Sequence, residues 1–382
     1  MKRLYCLFAF LCVSAIGMWA QVAPPQSIGG GYTLKWSDEF NGTSLDEDVW
    51  NIEVNGDGGG NGELQYYCRK GVSVADGKLH LKATRETSGG KPFTSGRINS
   101  KSKIFFTYGK IEARIKLPKT YKGLWPAFWM MGNDIDKNPW PKCGELDILE
   151  MGNKSGWTPL RNDYTPEYQS ERFLNGACHW GASWSAKADY AGEGHEAKNM
   201  VTRSIQGEYY VFGCEWDEDI MRCYVRTDDG SWEEEYFRMG NGITPGKDPA
   251  WEPGTYFRKD NFILFNLAVG GMYPDIYDPA AITAIGAQQG PQAEMLVDWV
   301  AVYQKDGNGS SFTDNRHSTS GEASSEAHQF TGDRYYLIDF VDDEVIAEKL
   351  MNKEVIDWRV NDKTRHLYIW DNNWSTGSKD GP

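Results

Sequence analysis

From Lys35 onward the chain is a series of short runs in which apolar and polar residues alternate, each closed by turn-forming letters. Residues 78–82, 109–117, 209–216 and 221–225 all carry the period of two expected of a strand with one buried face. Residues 295–303 form a last strong strand pattern, and helical periodicity is nearly absent before residue 340. Frequent turns between period-two runs predict an all-β sandwich. The composition then breaks. Residues 305–328 are rich in Ser, Gly, Thr and Asn and read as a linker. Three further strand patterns follow at 335–340, 355–360 and 365–370. Three strands bury too little to make an ordinary core. Residues 329–382 are therefore expected to be a partial accessory module, carbohydrate-binding in type, or else an extension that packs on the main domain.

The first 20 residues read as a signal peptide. Lys2 and Arg3 precede a short apolar stretch from Leu4 to Ile16, and Ala20 closes a cleavage-like approach. That stretch is too short to span a bilayer, and no other run is long and apolar enough. Residues 21–32, rich in Pro and Gly, are expected to be loose. An exported protein with periplasmic, cell-surface or extracellular residence follows. Of 7 cysteines, Cys6 and Cys12 leave with the signal. The remaining Cys68, Cys143, Cys178, Cys214 and Cys223 form no C-x-x-C pair, which argues against zinc. Export permits a disulfide, but an odd count leaves at least one thiol free. A formal net charge of −14 argues against nucleic-acid partners and anionic membrane surfaces. Aromatics at 14%, with 16 Trp, fit either a large β core or platforms for a neutral sugar polymer.

Candidate chemistry sits in residues 141–151, Pro-Lys-Cys-Gly-Glu-Leu-Asp-Ile-Leu-Glu-Met. As a strand, this segment puts Glu145 and Asp147 on one face. Glu150, five residues after Glu145, points the other way unless a β-bulge at Ile148–Leu149 brings it back. Three like charges in a row raise one another's pKa. Such a row suits glycoside hydrolysis, where one carboxylate attacks the anomeric carbon and another protonates the leaving oxygen. Solvated acids on an edge strand, or a row of calcium ligands, would give the same letters.

Several further stretches line up with that row. Residues 145–150 resemble the bulged signature of glycoside hydrolase family 16, and residues 123–132 resemble the strand that precedes it. Residues 36–40, 60–67, 95–101, 266–271 and 297–303 resemble other family segments in the same order. The resemblance covers residues 33–304 and is nearest to the laminarinase-like, endo-β-1,3-glucanase branch. It implies a β-jelly-roll of two curved antiparallel sheets with a concave substrate cleft, and a retaining endo-hydrolase that needs no catalytic cofactor. By motif position, Glu145 is the nucleophile, Glu150 the general acid/base, and Asp147 the residue that tunes Glu145. Trp125, Trp129, Asn61, Glu63, Arg97 and Trp140 fall in segments that line the cleft in relatives. His179 matches a histidine beside the acid/base, within reach of Glu150 or the leaving sugar. The resemblance further implies a structural calcium at Glu39, Gly77 and Asp298.

The expected substrate is a β-1,3-glucan or mixed-linkage β-glucan, bound by a monomer. Two alternatives remain open on the sequence. The same fold and mechanism act on β-galactans or mucin-type O-glycans in some relatives, and residues 158–172 and 186–203 match no family pattern. A non-catalytic glucan-binding protein would share the fold but lack the glutamates, all of which are present here.

Overall fold

The computed structural model describes residues 22–152, 165–189, 196–197, 199–286 and 292–316, and three later strands. The expected signal peptide lies outside the described residues. Two sheets build the main unit, which runs to Phe312 and leaves out Ser102–Ile104. The larger sheet has twelve strands. Its main path runs Glu196–Ala197, Glu233–Gly240, Ile220–Arg226, Tyr209–Trp216, Gly109–Lys116, Gln292–Gln304, Lys78–Thr84, Phe93–Ser95 and Gln65–Tyr67. The smaller sheet runs Ala186–Asp189, Asn175–Ser183, Glu145–Glu150, Leu124–Gly132, Asn261–Val269, Arg97–Asn99 and Asn51–Ile52. These strands coincide closely with the period-two runs. Helix is confined to short pieces such as Pro166–Ser170, where Thr165 caps the Tyr168 N–H, and Gly254–Phe257.

Alternation assigns the faces. In Leu124–Gly132, Trp125, Ala127, Trp129 and Met131 line an open pocket. The intervening Phe128 is fully buried and stacks on Phe265, with ring centroids 4.7 Å apart and planes at 9°. Trp50 approaches the same Phe265 ring at 5.9 Å. Burial of a Phe side chain contributes roughly 1.5–3 kcal/mol. Every residue of Asn261–Val269 is buried, which explains its near-continuous apolar run.

Three boundary expectations are corrected. Residues 21–32 are not loose throughout: Ser27 and Ile28 pair with Thr33 and Tyr32, and Tyr32 is buried. The main unit does not stop at residue 304. Gln304 donates its side-chain amide to the Ser311 carbonyl, and Phe312 stacks on Trp36 at 6.4 Å. Ser311–Asp314 is a strand, so the first part of the expected linker is structured. Antiparallel pairing also has an exception, since Gln65–Tyr67 runs parallel to Phe93–Ser95.

The five cysteines from Cys68 onward are all free thiols. Cys214 and Cys223 face each other on adjacent strands, as their spacing allows, and are buried as small core residues. In the second unit, Tyr336–Ile338, Leu367–Trp370 and Asp357–Val360 form a three-stranded antiparallel sheet in that order. The three late strand patterns therefore do become strands. Among the described residues, no helix is long and apolar enough to cross a membrane.

Candidate active site

The catalytic strand carries the expected bulge. Glu145 pairs with Met131, Leu146 with Met130 and Asp147 with Trp129. The register then slips, so that Leu149 pairs with Phe128 and Glu150 with Ala127. Ile148 is the inserted residue, and the ladder to the opposite neighbour breaks over the same span, between Asp147↔Ala177 and Glu150↔Asn175. The buried Tyr236 hydroxyl donates to the Ile148 carbonyl, satisfying an acceptor at the point where the ladder breaks. Gly144, at φ +79°, provides the turn into the strand, where a side chain would be strained. Glu145, Asp147 and Glu150 consequently share one face and line a pocket of about 370 Å³.

Of the ten carboxyl and substrate-binding candidates, all but His179 line that pocket. Several do so in unexpected ways. Trp125 is not an open platform. Its indole N–H donates to Glu150 Oε1 at 3.0 Å, and its ring is stacked on Tyr273 at 5.0 Å and 16°. Asn175 Nδ2 donates to the other oxygen, Oε2, also at 3.0 Å. Glu150 is thus held at both oxygens. His179 lies against the carboxyl row. It pairs across the ladder with Glu145, and its Nε2 is 3.5 Å from Asp147 Oδ2 and 3.9 Å from Glu145 Oε1. Cross-strand register puts it opposite the start of the strand, and it also acts electrostatically on Glu150.

Glu63 lines the pocket and also organises its own loop. It is buried and accepts from Gln65 at 2.6 Å, Tyr67 at 3.1 Å and Asn61 at 3.4 Å. Arg97 is paired with Glu53 at 3.0 Å and lies 4.9 Å over the Trp129 ring. Trp129 also donates to Asn266 Oδ1 at 2.7 Å. Trp140 lines the pocket beside Glu145, and its indole N–H opposes the rise of that carboxyl's pKa. Asn175, Asn266, Tyr273 and Trp184 were missed as site residues. Asn266 lay within a recognised segment, whereas the other three carry no local signal.

The electrostatics separate the three carboxyls. Burial raises all of their pKa values. Asp147 is raised well above the ordinary range, by burial and then by Glu145 and Glu150. Glu145 is raised by burial but opposed by His179, the Trp140 N–H, Arg97 and Lys187. Glu150 is raised by burial, opposed by His179, Asn175 and Trp125, and raised further by Glu145. Arg97 and Lys187 are the fixed cations that oppose the rise at Glu145. Its charge in turn helps Glu150 keep a proton.

The expected calcium positions lie close together in the larger sheet. The registers Asp38↔Val300 and Leu79↔Val297 bring residues 39 and 77 alongside Asp298. The donors are all oxygens, which suits calcium. Arg114 Nη1 already lies 2.7 Å from Asp298 Oδ2, and Ser37 donates to Glu39 at 2.5 Å. The donor set fits a cation, with Arg114 competing for the same carboxylate.

A two-sheet sandwich with a bulged row of three carboxyls in an aromatic-walled pocket defines a class, the jelly-roll glycoside hydrolases. The comparisons agree. A Glucan endo-1,3-beta-glucosidase from Cryptopygus antarcticus is 34% identical over 263 residues, covering 66% of this chain and 86% of that protein. Glucan endo-1,3-beta-glucosidase A1 of Niallia circulans is 30% identical over 292 residues, covering 72% of this chain. This chain spans only 38% of that second relative's length. A solved structure, the Bacteroides ovatus mixed linkage glucan GH16 in complex with a G4G4G3G product, is 39% identical with a TM-score of 0.55. It covers 69% of this chain and 98% of the solved one. A family model described as beta-glucan synthesis-associated protein SKN1/KRE6/Sbg1 matches residues 23–136, ending short of the catalytic strand. The chain belongs to glycoside hydrolase family 16.

Proposed function

We propose that this protein is a retaining endo-β-glucanase that cleaves internal β-1,3 bonds by double displacement. The observation that carries the reading is the bulged register, which turns Glu145, Asp147 and Glu150 into one pocket. Glu145 is the nucleophile, because cationic and N–H groups gather at its carboxyl. Glu150 is the acid in the first step, delivering a proton to the departing sugar oxygen. In the second step it takes a proton from water, and the Trp125 and Asn175 donors then stabilise its charged form. Asp147 retains a proton and spares the row a third negative charge, while its position between the two glutamates tunes Glu145.

Reducing-end assays on laminarin, barley glucan, agarose and mucin test the reading, with Glu145→Gln beside the wild type. Activity on laminarin, lost by several orders of magnitude in the variant, is expected. A variant near the native rate would refute the assignment. Wild-type cleavage of mucin or agarose without laminarin would move the substrate to galactose-containing chains.

A mixed-linkage β-1,3-1,4-glucan is the second reading for the substrate. The 39% identity to a solved protein bearing a mixed-linkage product supports it. Export, by the charged and apolar pattern of residues 1–20, a monomeric state, a carbohydrate-binding role for residues 329–382 and calcium at Glu39, Gly77 and Asp298 belong to the same proposal.

A further inference from the structure

Trp184 is 69% exposed, more than any other large apolar side chain among the described residues, yet it lines the same pocket as the nucleophile. An aromatic side chain carries 150–250 Å² of surface that gains from cover. Its neighbours show that the exposure is built in. Asn175–Ser183 and Ala186–Asp189 form a tight hairpin, with Gly181 opposite Lys187 and Ser183 opposite Ala186. The register shifts between Gly181 and Ser183, and a bulge there re-aims the tip. Gly181 has φ +151°, and a Cβ at that position would lie 2.2 Å from the Ala186 carbonyl oxygen. The hairpin closes this tightly only with glycine. At its tip Trp184 leans on Trp140, with ring centroids 4.3 Å apart and planes at 58°. Lys187 Nζ lies 5.4 Å from the centroid of the Trp140 ring.

The position matters as much as the exposure. In the smaller sheet, the strand bearing the carboxyls separates the Trp184 hairpin from the strands bearing Trp129, Asn266 and Arg97. Asn61, Arg97, Trp129 and Asn266 therefore furnish one end of the pocket, while Trp140 and Trp184 furnish the other. An endo-acting enzyme must hold sugar on both sides of the bond it cuts. The polar end offers hydrogen-bonding groups and the Trp184 end offers an aromatic face with little polar competition.

We infer that Trp184, braced by Trp140, is a stacking platform for a glucosyl unit of the β-glucan chain remote from the cleaved bond, and that it sets how long a substrate must be for tight binding. This rests on the glucanase reading and deepens it. The apolar C–H face of a glucose ring would cover the exposed indole, while Trp140 fixes the tilt of the platform and carries the contact back to the Glu145 end of the pocket. Phe retains part of the stacking area, whereas Ala removes it.

The test compares wild type, Trp184→Phe and Trp184→Ala on laminarin and on β-1,3-gluco-oligosaccharides of increasing length. Loss of one stacked ring is expected to raise KM for laminarin about tenfold in Trp184→Ala, in line with ~1.4 kcal/mol of contact. The penalty should appear only once the oligosaccharide is long enough to reach the hairpin, and Trp184→Phe should recover most of it. Indole emission should shift on titration with a long oligosaccharide in the wild type and lose that shift in Trp184→Ala. A KM penalty equal at every chain length, or none at all, would overturn the inference while leaving the glucanase reading intact. No cleavage of any β-glucan by the wild type would instead remove the glucanase reading. A melting temperature unchanged by the Ala substitution separates the contact from a folding defect.

Discussion

The indole N–H of Trp125 donates to Glu150 across 25 residues of sequence and 3.0 Å of space. In the proposed mechanism Glu150 sheds its proton to the leaving oxygen and then recovers one from water, so a donor aimed at its carboxylate affects both half-reactions. The Trp125 ring is also stacked on Tyr273, which keeps the N–H pointing the same way throughout.

Trp125→Phe keeps the stacked ring and removes the donor. Because Trp125 lowers the Glu150 pKa, its loss raises that pKa. The basic limb of the kcat/KM profile, where the acid loses its proton, is expected to move to higher pH. A fall in kcat of about 10- to 100-fold with a smaller change in KM is expected alongside. A pH–rate profile with the basic limb unmoved or shifted downward would contradict this role.

Asp147→Asn separates catalysis from stability. The folded carboxyl of Asp147 is held protonated well above the ordinary range by burial and by two carboxylate neighbours. A carboxyl raised in this way binds more protons folded than unfolded. Its contribution is complete below the unfolded pKa and is lost as pH rises toward the folded one. Asn does not ionise and escapes that loss. Relative to wild type, the variant should therefore gain Tm as pH rises above about 4 toward the raised folded pKa, by ~2–4 °C for each kcal/mol regained. Its glucanase rate should fall at the same time. A Tm difference that stays flat across this range would mean that Asp147 is stabilised as a charged group.

Calcium can be tested by melting alone. Binding to the folded state at one hundred times Kd adds about 2.7 kcal/mol. Millimolar calcium should raise the Tm of chelator-treated protein, and Asp298→Asn should blunt that response. Identical melting with calcium and with chelator would show that Arg114, 2.7 Å from Asp298, is the only cation this carboxylate uses.

Much of the site was legible because strands encode faces. The letters Glu145, Asp147 and Glu150 demand a common face for any joint chemistry, and one inserted residue is the only local means of supplying it. The structure places that residue at Ile148. The period likewise put Trp125 and Trp129, four apart on one strand, on a common face, and the family resemblance assigned that face to the cleft. What each ring does there was not legible. Trp125 serves Glu150, and Trp129 is bound to Asn266 across 137 residues. Glu63 was expected in the cleft because its segment lines the cleft in relatives, and the sequence did not show that its carboxyl accepts from Asn61, Gln65 and Tyr67. Trp184 gave no signal, because a single Trp in a Ser- and Ala-containing turn looks the same whether it is covered or open.

By itself the sequence determined the strand pattern, the two-sheet class and the identity of the acidic row, since each depends on residues close together in the chain. Tertiary structure alone decided which groups meet that row. His179 faces Asp147 and Glu145 because strand 175–183 pairs in one particular register, and Asn175 reaches Glu150 because the same register slips at the bulge. Register between distant strands is set by how both faces of a sheet are buried together, and no stretch of sequence carries that information on its own.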